Sequence, residues 1–203
     1  MTAAGHSTVC IACGVFLDEL QALAQEEGAL PYEIRYLDSM LHMEPEQLAD
    51  QLSSAIKEEQ DADRKVVLLY GDCHPHMSVM TAAKNIKRPA GVNCCQMLLG
   101  KERYRQLQRA GTFFVMPEWL KHWREVFENH LGFTTQRLAQ VCMNDIFRQI
   151  VYIDSGLAPP PRGQLDAIAA FTGLPVVIEL VTLEHFRRGI DEAVDALHEE
   201  ARP

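Results

Sequence analysis

The stretch "KVVLLYG" (residues 65–71) decides the fold. It is a continuous apolar run that ends at a glycine, and such a run indicates a strand buried on both faces of a sheet. Strands of this kind belong to parallel sheets whose two faces are covered by helices. We therefore expect a layered α/β protein with this strand inside its sheet.

Short apolar runs alternate with amphipathic helical stretches along the rest of the chain. Six further segments predict strands: "STVCIACGV" (7–15), "YEIRYLDSM" (32–40), "PAGVNC" (89–94), "GTFFVMPEW" (111–119), "QIVYIDSG" (149–156) and "LPVVIELVT" (174–182). Repeated strand–helix units specify a doubly wound, mostly parallel, Rossmann-like sheet of about five to seven strands flanked by helices. We expect one α/β domain over residues 1–203, in which the region after about residue 155 extends the same sheet.

Composition and charge narrow the class of protein. No run of about 18 apolar residues is present, which excludes a membrane span, and the N-terminus "MTAAGHSTVC" lacks the features of a signal peptide. A cytoplasmic protein is expected. The formal charge of −9 argues against an extended nucleic-acid interface.

The positions of the cysteines carry the functional signal. Six cysteines in a cytosolic chain are expected to be reduced. They are therefore either small apolar residues of the core or members of a reactive or metal-binding site. Cys13, Cys73 and Cys94 follow the first, third and fourth predicted strands, and His42 follows the second. In an open parallel sheet with strand order 2-1-3-4-5, those strand ends are neighbours along the edge where ligands bind.

Thiolate sulfur with one imidazole suits zinc or an iron–sulfur cluster and is a poor match for magnesium or calcium. Adjacent strands lie about 4.8 Å apart, so four strand ends span roughly 14 Å. One zinc ion reaches two or three of these donors easily, whereas a cluster or a larger cofactor fits the whole span better. Asp72 and Asn93, which precede Cys73 and Cys94, are candidates to orient the ligands.

The other cysteines are expected to pack in the core. Cys10 points to the opposite face from Cys13 if the strand continues, and Cys142 lies within a predicted helix. Neighbours on an extended chain diverge, so only one of Cys94 and Cys95 should face the site, with the other packed underneath.

His74 and His76 are additional candidates for metal ligation, since residues two apart along an extended chain point in the same direction. Alternatively, they are exposed loop residues. Dinucleotide-binding, phosphate-loop and nucleophile-elbow motifs are missing from the sequence.

Six short motifs, in this order, resemble an uncharacterised prokaryotic family, domain of unknown function 1638. They are "IACGVFLDEL", "LHMEPEQL", "YGDC", "NCCQMLLG", "RYRQL" and "GTFFVMPEWL", and the resemblance runs from about residue 9 to about residue 154. The family motifs fall on Cys13, His42, Cys73, Cys94 and Gly111-Thr112.

The chain departs from the family pattern at two places. Relatives are often glycine-rich after the third-strand cysteine, where "HPH" (74–76) stands here, and they often have His or Asp where Asn93 stands. The resemblance implies no activity of its own. It implies an association with corrinoid-dependent methyltransferases, near which some members of the family are encoded.

Three functions remain open on these grounds. The first is a zinc site whose open position activates a substrate thiol for methyl transfer, with a small molecule or a corrinoid protein as partner. The second is a non-catalytic accessory protein that binds an iron–sulfur cluster or a corrinoid. The third is a metal-free thiol enzyme, in which the following helix lowers the pKa of Cys13.

Overall fold

The computed structural model describes residues 7–28 and 30–199. The predictions made on the first six residues, on Ala29 and on the last four residues lie outside that range. The strands are β1 (Thr8–Cys13), β2 (Glu33–Leu37), β3 (Lys65–Leu69), β4 (Ile86–Lys87), β5 (Thr112–Val115), β6 (Gln149–Asp154) and β7 (Val176–Leu180).

The helices cover the strands on both faces. They are α1 (Leu17–Glu27), α2 (Pro45–Asp61), α3 (Met77–Met80), α4 (Cys94–Leu99), α5 (Lys101–Arg109), α6 (Pro117–Lys121), α7 (Trp123–Glu125), α8 (Gln136–Ile146), α9 (Arg162–Thr172) and α10 (Glu184–Glu199). Single turns of 3-10 helix cover Gly14–Phe16 and Ser39–Met43, and a π-helical turn covers Val126–His130. Within the described residues, no helix is long and apolar enough to cross a membrane.

The strands form two parallel sheets. The first has the order β2-β1-β3-β4 and the second the order β5-β6-β7. The α/β class with parallel, helix-covered strands is thus confirmed, and the first four strands have the expected order. The sheets are smaller than the single sheet of about five to seven strands that was expected.

The strand that decided the fold is buried as its sequence requires. Val66 and Leu68 point to one face of the first sheet and pack against α2, while Val67 and Leu69 point to the other. Each such side chain contributes about 1.5–3 kcal/mol when fully buried.

The last helix connects the C-terminal region to the first sheet. The strand β7 pairs with β6 at the edge of the second sheet, and the chain then returns so that Phe186 and Ile190 of α10 join the core around β1 and β3. The ring of Phe186 lies 4.7 Å from that of Phe16 between centroids. Residues after 155 therefore add a strand to the second sheet and a helix that packs on the first. The expectation of a single domain stays a prediction.

The fourth strand is shorter than expected and lies earlier in the sequence. The segment "PAGVNC" (89–94) was expected to be a strand, but β4 covers only Ile86–Lys87. Residues 88–93 are irregular, and Cys94 begins a helix instead of ending a strand. The backbone of this segment lies beside the end of β3, where the N–H of Asp72 donates to the carbonyl of Val92 at 2.8 Å.

An ion-pair network fastens β2 to α2. The Glu59 side chain is 4% exposed and pairs with the guanidinium groups of Arg35 and Arg64. Its neighbour Glu58 also pairs with Arg35, at 2.7 Å, but its side chain is 58% exposed. The two adjacent carboxylates therefore make similar contacts at very different depths.

We predict that Glu59→Gln lowers the free energy of unfolding by about 2 kcal/mol, because two guanidinium groups lose a buried charged partner. The matched Glu58→Gln variant should lose less than about 1 kcal/mol, since water screens the exposed pair. Urea unfolding followed by circular dichroism measures both. Equal losses in the two variants would contradict the importance of burial in this network.

Candidate functional site

The four predicted ligand residues line one cavity. This cavity has a volume of about 330 Å³ and lies beyond the carboxyl ends of the first sheet. Cys13 is the last residue of β1, Cys73 follows β3, His42 lies in the 3-10 turn after β2, and Cys94 begins α4. We call it the thiol cavity.

A close backbone approach brings Cys73 and Cys94 to the same cavity. The backbone N–H of Asp72 donates a hydrogen bond of 2.8 Å to the carbonyl of Val92. A Cβ atom placed on Gly71 would lie 2.3 Å from the Cα of Asn93, which is too close for any side chain. Glycine at this position therefore lets the irregular segment before α4 lie directly against the end of β3.

Asn93 fixes the start of α4. Its Oδ1 accepts a hydrogen bond of 2.9 Å from the backbone N–H of Gln96, which is the usual helix-capping arrangement. Its Nδ2 donates a hydrogen bond of 2.7 Å to the hydroxyl of Tyr104 on α5. Asn93 thus orients the turn that carries Cys94, although its own polar atoms are used in structural hydrogen bonds.

Cys94 and Cys95 both line the thiol cavity. Only one of the two was expected there, because neighbours on an extended chain point to opposite faces. That expectation was wrong because the pair begins a helix, in which successive side chains are about 100° apart rather than opposed. Treating "NCCQMLL" as a capped helix would have identified Cys95 from the sequence.

The ring of His42 is held in one tautomer by its own turn. Its Nδ1 lies 2.6 Å from the backbone carbonyl of Ser39, and a carbonyl only accepts hydrogen bonds, so Nδ1 carries the proton. In the neutral ring, Nε2 then keeps its lone pair. Metal-binding histidines typically have this arrangement, in which the second nitrogen donates to a carbonyl or carboxylate.

Burial keeps the thiols of the cavity protonated. It raises the pKa of Cys13 to about 12 and that of Cys73 to about 11, with smaller contributions from the neighbouring thiols. The pKa of Cys94 is raised by its hydrogen bond with the Cys95 thiol and then by burial. Because the thiolate is the nucleophile, these shifts act against the metal-free thiol enzyme.

Tyr70 places an unused hydroxyl beside these sulfur atoms. Its side chain is buried, and the hydroxyl has no hydrogen-bond partner among the described residues. Burial raises the pKa of the Tyr70 hydroxyl, and the nearby Cys13 thiol raises it further. The geometry between the hydroxyl and this thiol does not make a hydrogen bond. A buried donor without an acceptor is costly and suggests a missing partner in the cavity.

The second sheet closes the thiol cavity with apolar side chains. Phe114 of β5, Met116 and Trp119 of α6 form this wall. Tyr104 stacks on Phe114 with 5.0 Å between ring centroids, so the hydroxyl that binds Asn93 is anchored to the same wall. The sequence did not identify these residues, because their role depends on how the two sheets meet.

Other predicted site residues lie outside the thiol cavity. Asp72 has an exposed side chain and pairs with Arg88 at 3.0 Å. The rings of His74 and His76 are in tilted contact, with 5.2 Å between centroids, and Nδ1 of His74 accepts a hydrogen bond from the backbone N–H of His76. These contacts are local, and none of the three residues lines the thiol cavity.

The remaining motif residues and cysteines have structural positions. Cys10 is fully buried in the core, as expected, and Cys142 is half-buried on α8. Thr112 is buried in β5, where its Oγ1 accepts a hydrogen bond of 2.9 Å from Gln149, and Gly111 forms the preceding turn with a φ of 74°. The Gly111-Thr112 motif therefore supports the strand and does not reach the cavity.

The donor atoms of the thiol cavity are of the kind that soft metals prefer, but they are not grouped closely enough for one metal ion. The thiols of Cys13, Cys73, Cys94 and Cys95 and the imidazole of His42 line the cavity, and such donors are typical of zinc and iron–sulfur sites. Among residues 7–28 and 30–199, however, no three His, Cys, Asp or Glu side chains are grouped closely enough for one metal ion.

A family model described as "Protein of unknown function (DUF1638)" matches residues 36–190, which is well over half of the chain. The match includes the segments around His42, Cys73 and Cys94 and continues beyond the expected limit near residue 154. It begins after β1, so the Cys13 segment lies outside it. No curated protein and no solved structure matches the chain.

We predict that Gly71→Ala lowers the free energy of unfolding by about 2 kcal/mol or more, because the new Cβ must displace the backbone of Asn93. The Cys94 thiol should also react faster with a maleimide, since the segment that positions it moves. Gly163→Ala is the matched control: nothing lies within 4 Å of the new Cβ, and stability should stay equal or rise slightly. Unchanged stability in Gly71→Ala would contradict the close approach.

Proposed function

The chain belongs to the DUF1638 family, whose function is unknown, and on that premise we propose that it binds an iron–sulfur cluster in the thiol cavity. Cys13, Cys73 and Cys94 would supply thiolates, and His42 would supply an imidazole nitrogen. A bound cluster would supply one-electron transfer or a Lewis-acidic iron.

One observation carries the proposal. Four soft donors come from four separate segments of the chain, and all of them line the same cavity of about 330 Å³. Packing alone explains a buried cysteine, but it does not explain why thiols from the ends of two strands and from a helix start converge with an oriented imidazole. The carbonyl of Ser39 selects the tautomer of His42 in which Nε2 is free to bind a metal.

The size of the cavity favours a cluster over one zinc ion. Zinc needs its ligands within about 2.0–2.3 Å of one point, and the described donors are not grouped in that way. A cluster presents several metal atoms, so its ligands stand farther apart. The raised thiol pKa values do not oppose metal binding, because coordination itself deprotonates a thiol.

The surroundings of the cavity suit a tuned redox group. Phe114, Met116 and Trp119 form an apolar wall that limits contact with water, and the Tyr70 hydroxyl is available as a hydrogen-bond donor to sulfur. Burial and hydrogen bonds to sulfur are the features by which proteins set cluster potentials. His42 would be the non-cysteine ligand, and histidine ligation raises the potential of such centres.

Zinc-dependent methyl transfer and corrinoid binding stay predictions. Each uses the same cavity, and no additional contact among the described residues favours either over the cluster. A small molecule or a corrinoid protein likewise stays a predicted partner.

Anaerobic purification of the full chain tests the proposal directly. We predict a coloured protein with broad visible absorption near roughly 400 nm, containing iron and acid-labile sulfide. A colourless protein with one equivalent of zinc would replace the cluster with the single-ion alternative. A protein that contains no metal after anaerobic handling and reconstitution with iron and sulfide would overturn both.

We further predict that Cys73→Ser loses most of the iron and the visible absorption, because one of three thiolates is removed. Cys142→Ser is the matched control, since Cys142 is half-buried on α8 and does not line the cavity. Iron analysis and circular dichroism of both variants separate loss of the cluster from loss of folding. Equal iron loss in the two variants would defeat the ligand assignment.

We also predict that Tyr70→Phe retains its iron but has a lower reduction potential. A hydroxyl that donates to cluster sulfur stabilises the more negative, reduced state, and phenylalanine removes that donor. Redox titration monitored by visible absorption measures the change. A potential equal to that of the unmodified protein would show that the Tyr70 hydroxyl does not face the cluster.

A further inference from the structure

A second cavity of about 500 Å³ lies between α5, α10 and the segment at residues 89–92. Ala90 and Val92 contribute exposed apolar surface, and Lys101, Arg105 and Arg188 stand around it. We call it the α5–α10 cavity. It adjoins the thiol cavity, because Val92 and Gln96 line one while Asn93, Cys94 and Cys95 line the other.

The cations of the α5–α10 cavity are not neutralised by carboxylates. Among residues 7–28 and 30–199, Lys101, Arg105 and Arg188 form no ion pair, whereas Arg103, on the same helix, binds both carboxylate oxygens of Glu179 at 2.7 Å. The closest polar contact of Arg188 is with the ring of His185 at 3.4 Å. The three cations are exposed and lie at one cavity of a chain whose formal charge is −9.

Acidic groups at this cavity oppose the cations only in part. Asp72 lines the cavity but is paired with Arg88 at 3.0 Å. Glu192 remains as the one unpaired carboxylate among the described lining residues. The local balance is therefore positive, and it favours an anion.

Gln96 adds an amide donor to the same cavity. The residue is only 8% exposed, and its Oε1 is held by the backbone N–H of Val92 at 2.7 Å. That bond fixes the orientation of the carboxamide. The Nε2 group has no acceptor among the described residues and is not enclosed, so it is available to a ligand at the cavity surface.

We propose that the α5–α10 cavity binds a small molecule that carries a phosphate monoester on an apolar body. Guanidinium groups and the amide of Gln96 are suited to phosphate oxygens, and a doubly charged group gains more from three cations than a carboxylate does. The exposed side chains of Ala90 and Val92 provide contact for the apolar part. This site is separate from the thiol cavity and does not depend on a bound metal.

Isothermal titration of the full chain with phenyl phosphate tests the proposal. We expect saturable binding that weakens with added salt and that inorganic phosphate competes away. Benzoate should bind more weakly than phenyl phosphate, and phenol should not bind measurably. Absence of phenyl phosphate binding, or equal affinity for phenol, would overturn the proposal.

Charge variants locate the site. Arg105→Gln and Arg188→Gln should each weaken phenyl phosphate binding by about tenfold, because each removes a charged donor from the cavity. Glu192→Gln should tighten it, since it removes an opposing charge. Arg109→Gln is the matched control, because it removes the same charge from the same helix but does not line this cavity.

These outcomes separate specific binding from general attraction to a basic surface. Affinity that falls equally in Arg109→Gln and Arg105→Gln would show only nonspecific attraction and would overturn the proposal. Unchanged affinity in the Arg105→Gln/Arg188→Gln double variant would do the same. The three arginines are on the surface, so circular dichroism should show folded protein in every case.

Discussion

The burial of β3 on both faces is the constraint on which the rest of the structure depends. An unbroken apolar strand must be covered on two sides. The helix α2 covers one face of β3, and the returning helix α10 contributes to the cover of the other face. Parallel pairing with β1 then follows, and with it the shared direction of the strand ends. Every residue that we assign to the thiol cavity reaches it from those ends or from a segment that packs against them.

The thiol cavity depends on a second, more local constraint at Gly71. Because no side chain fits between this residue and Asn93, the segment before α4 comes close enough to bring two cysteines from a helix start to the end of a strand. The result is an apolar, partly closed space in which thiols are protonated and a tyrosine hydroxyl is unpaired. Such a space is poorly suited to a free thiolate and well suited to a group that brings its own charge.

The return of α10 to the first sheet gives the C-terminal region a role beyond completing the second sheet. Phe186 of α10 packs in the core, while Arg188 of the same helix lines the α5–α10 cavity. The segment between Val92 and Gln96 then separates a sulfur-lined cavity from a basic one.

The sequence by itself determined the parallel α/β class, the first three strands, and the convergence of Cys13, His42, Cys73 and Cys94 at one edge. These follow from short-range patterns, since an apolar run specifies burial and strand ends on one sheet share an edge. Only the tertiary structure decided that the strands divide into two sheets and that Cys95 lines the cavity while His74 and His76 do not. It also decided that Phe114, Met116 and Trp119 form the opposite wall. The reason is physical: which side chains face a shared space depends on how separately formed layers pack, and that packing is set by contacts between residues far apart in sequence.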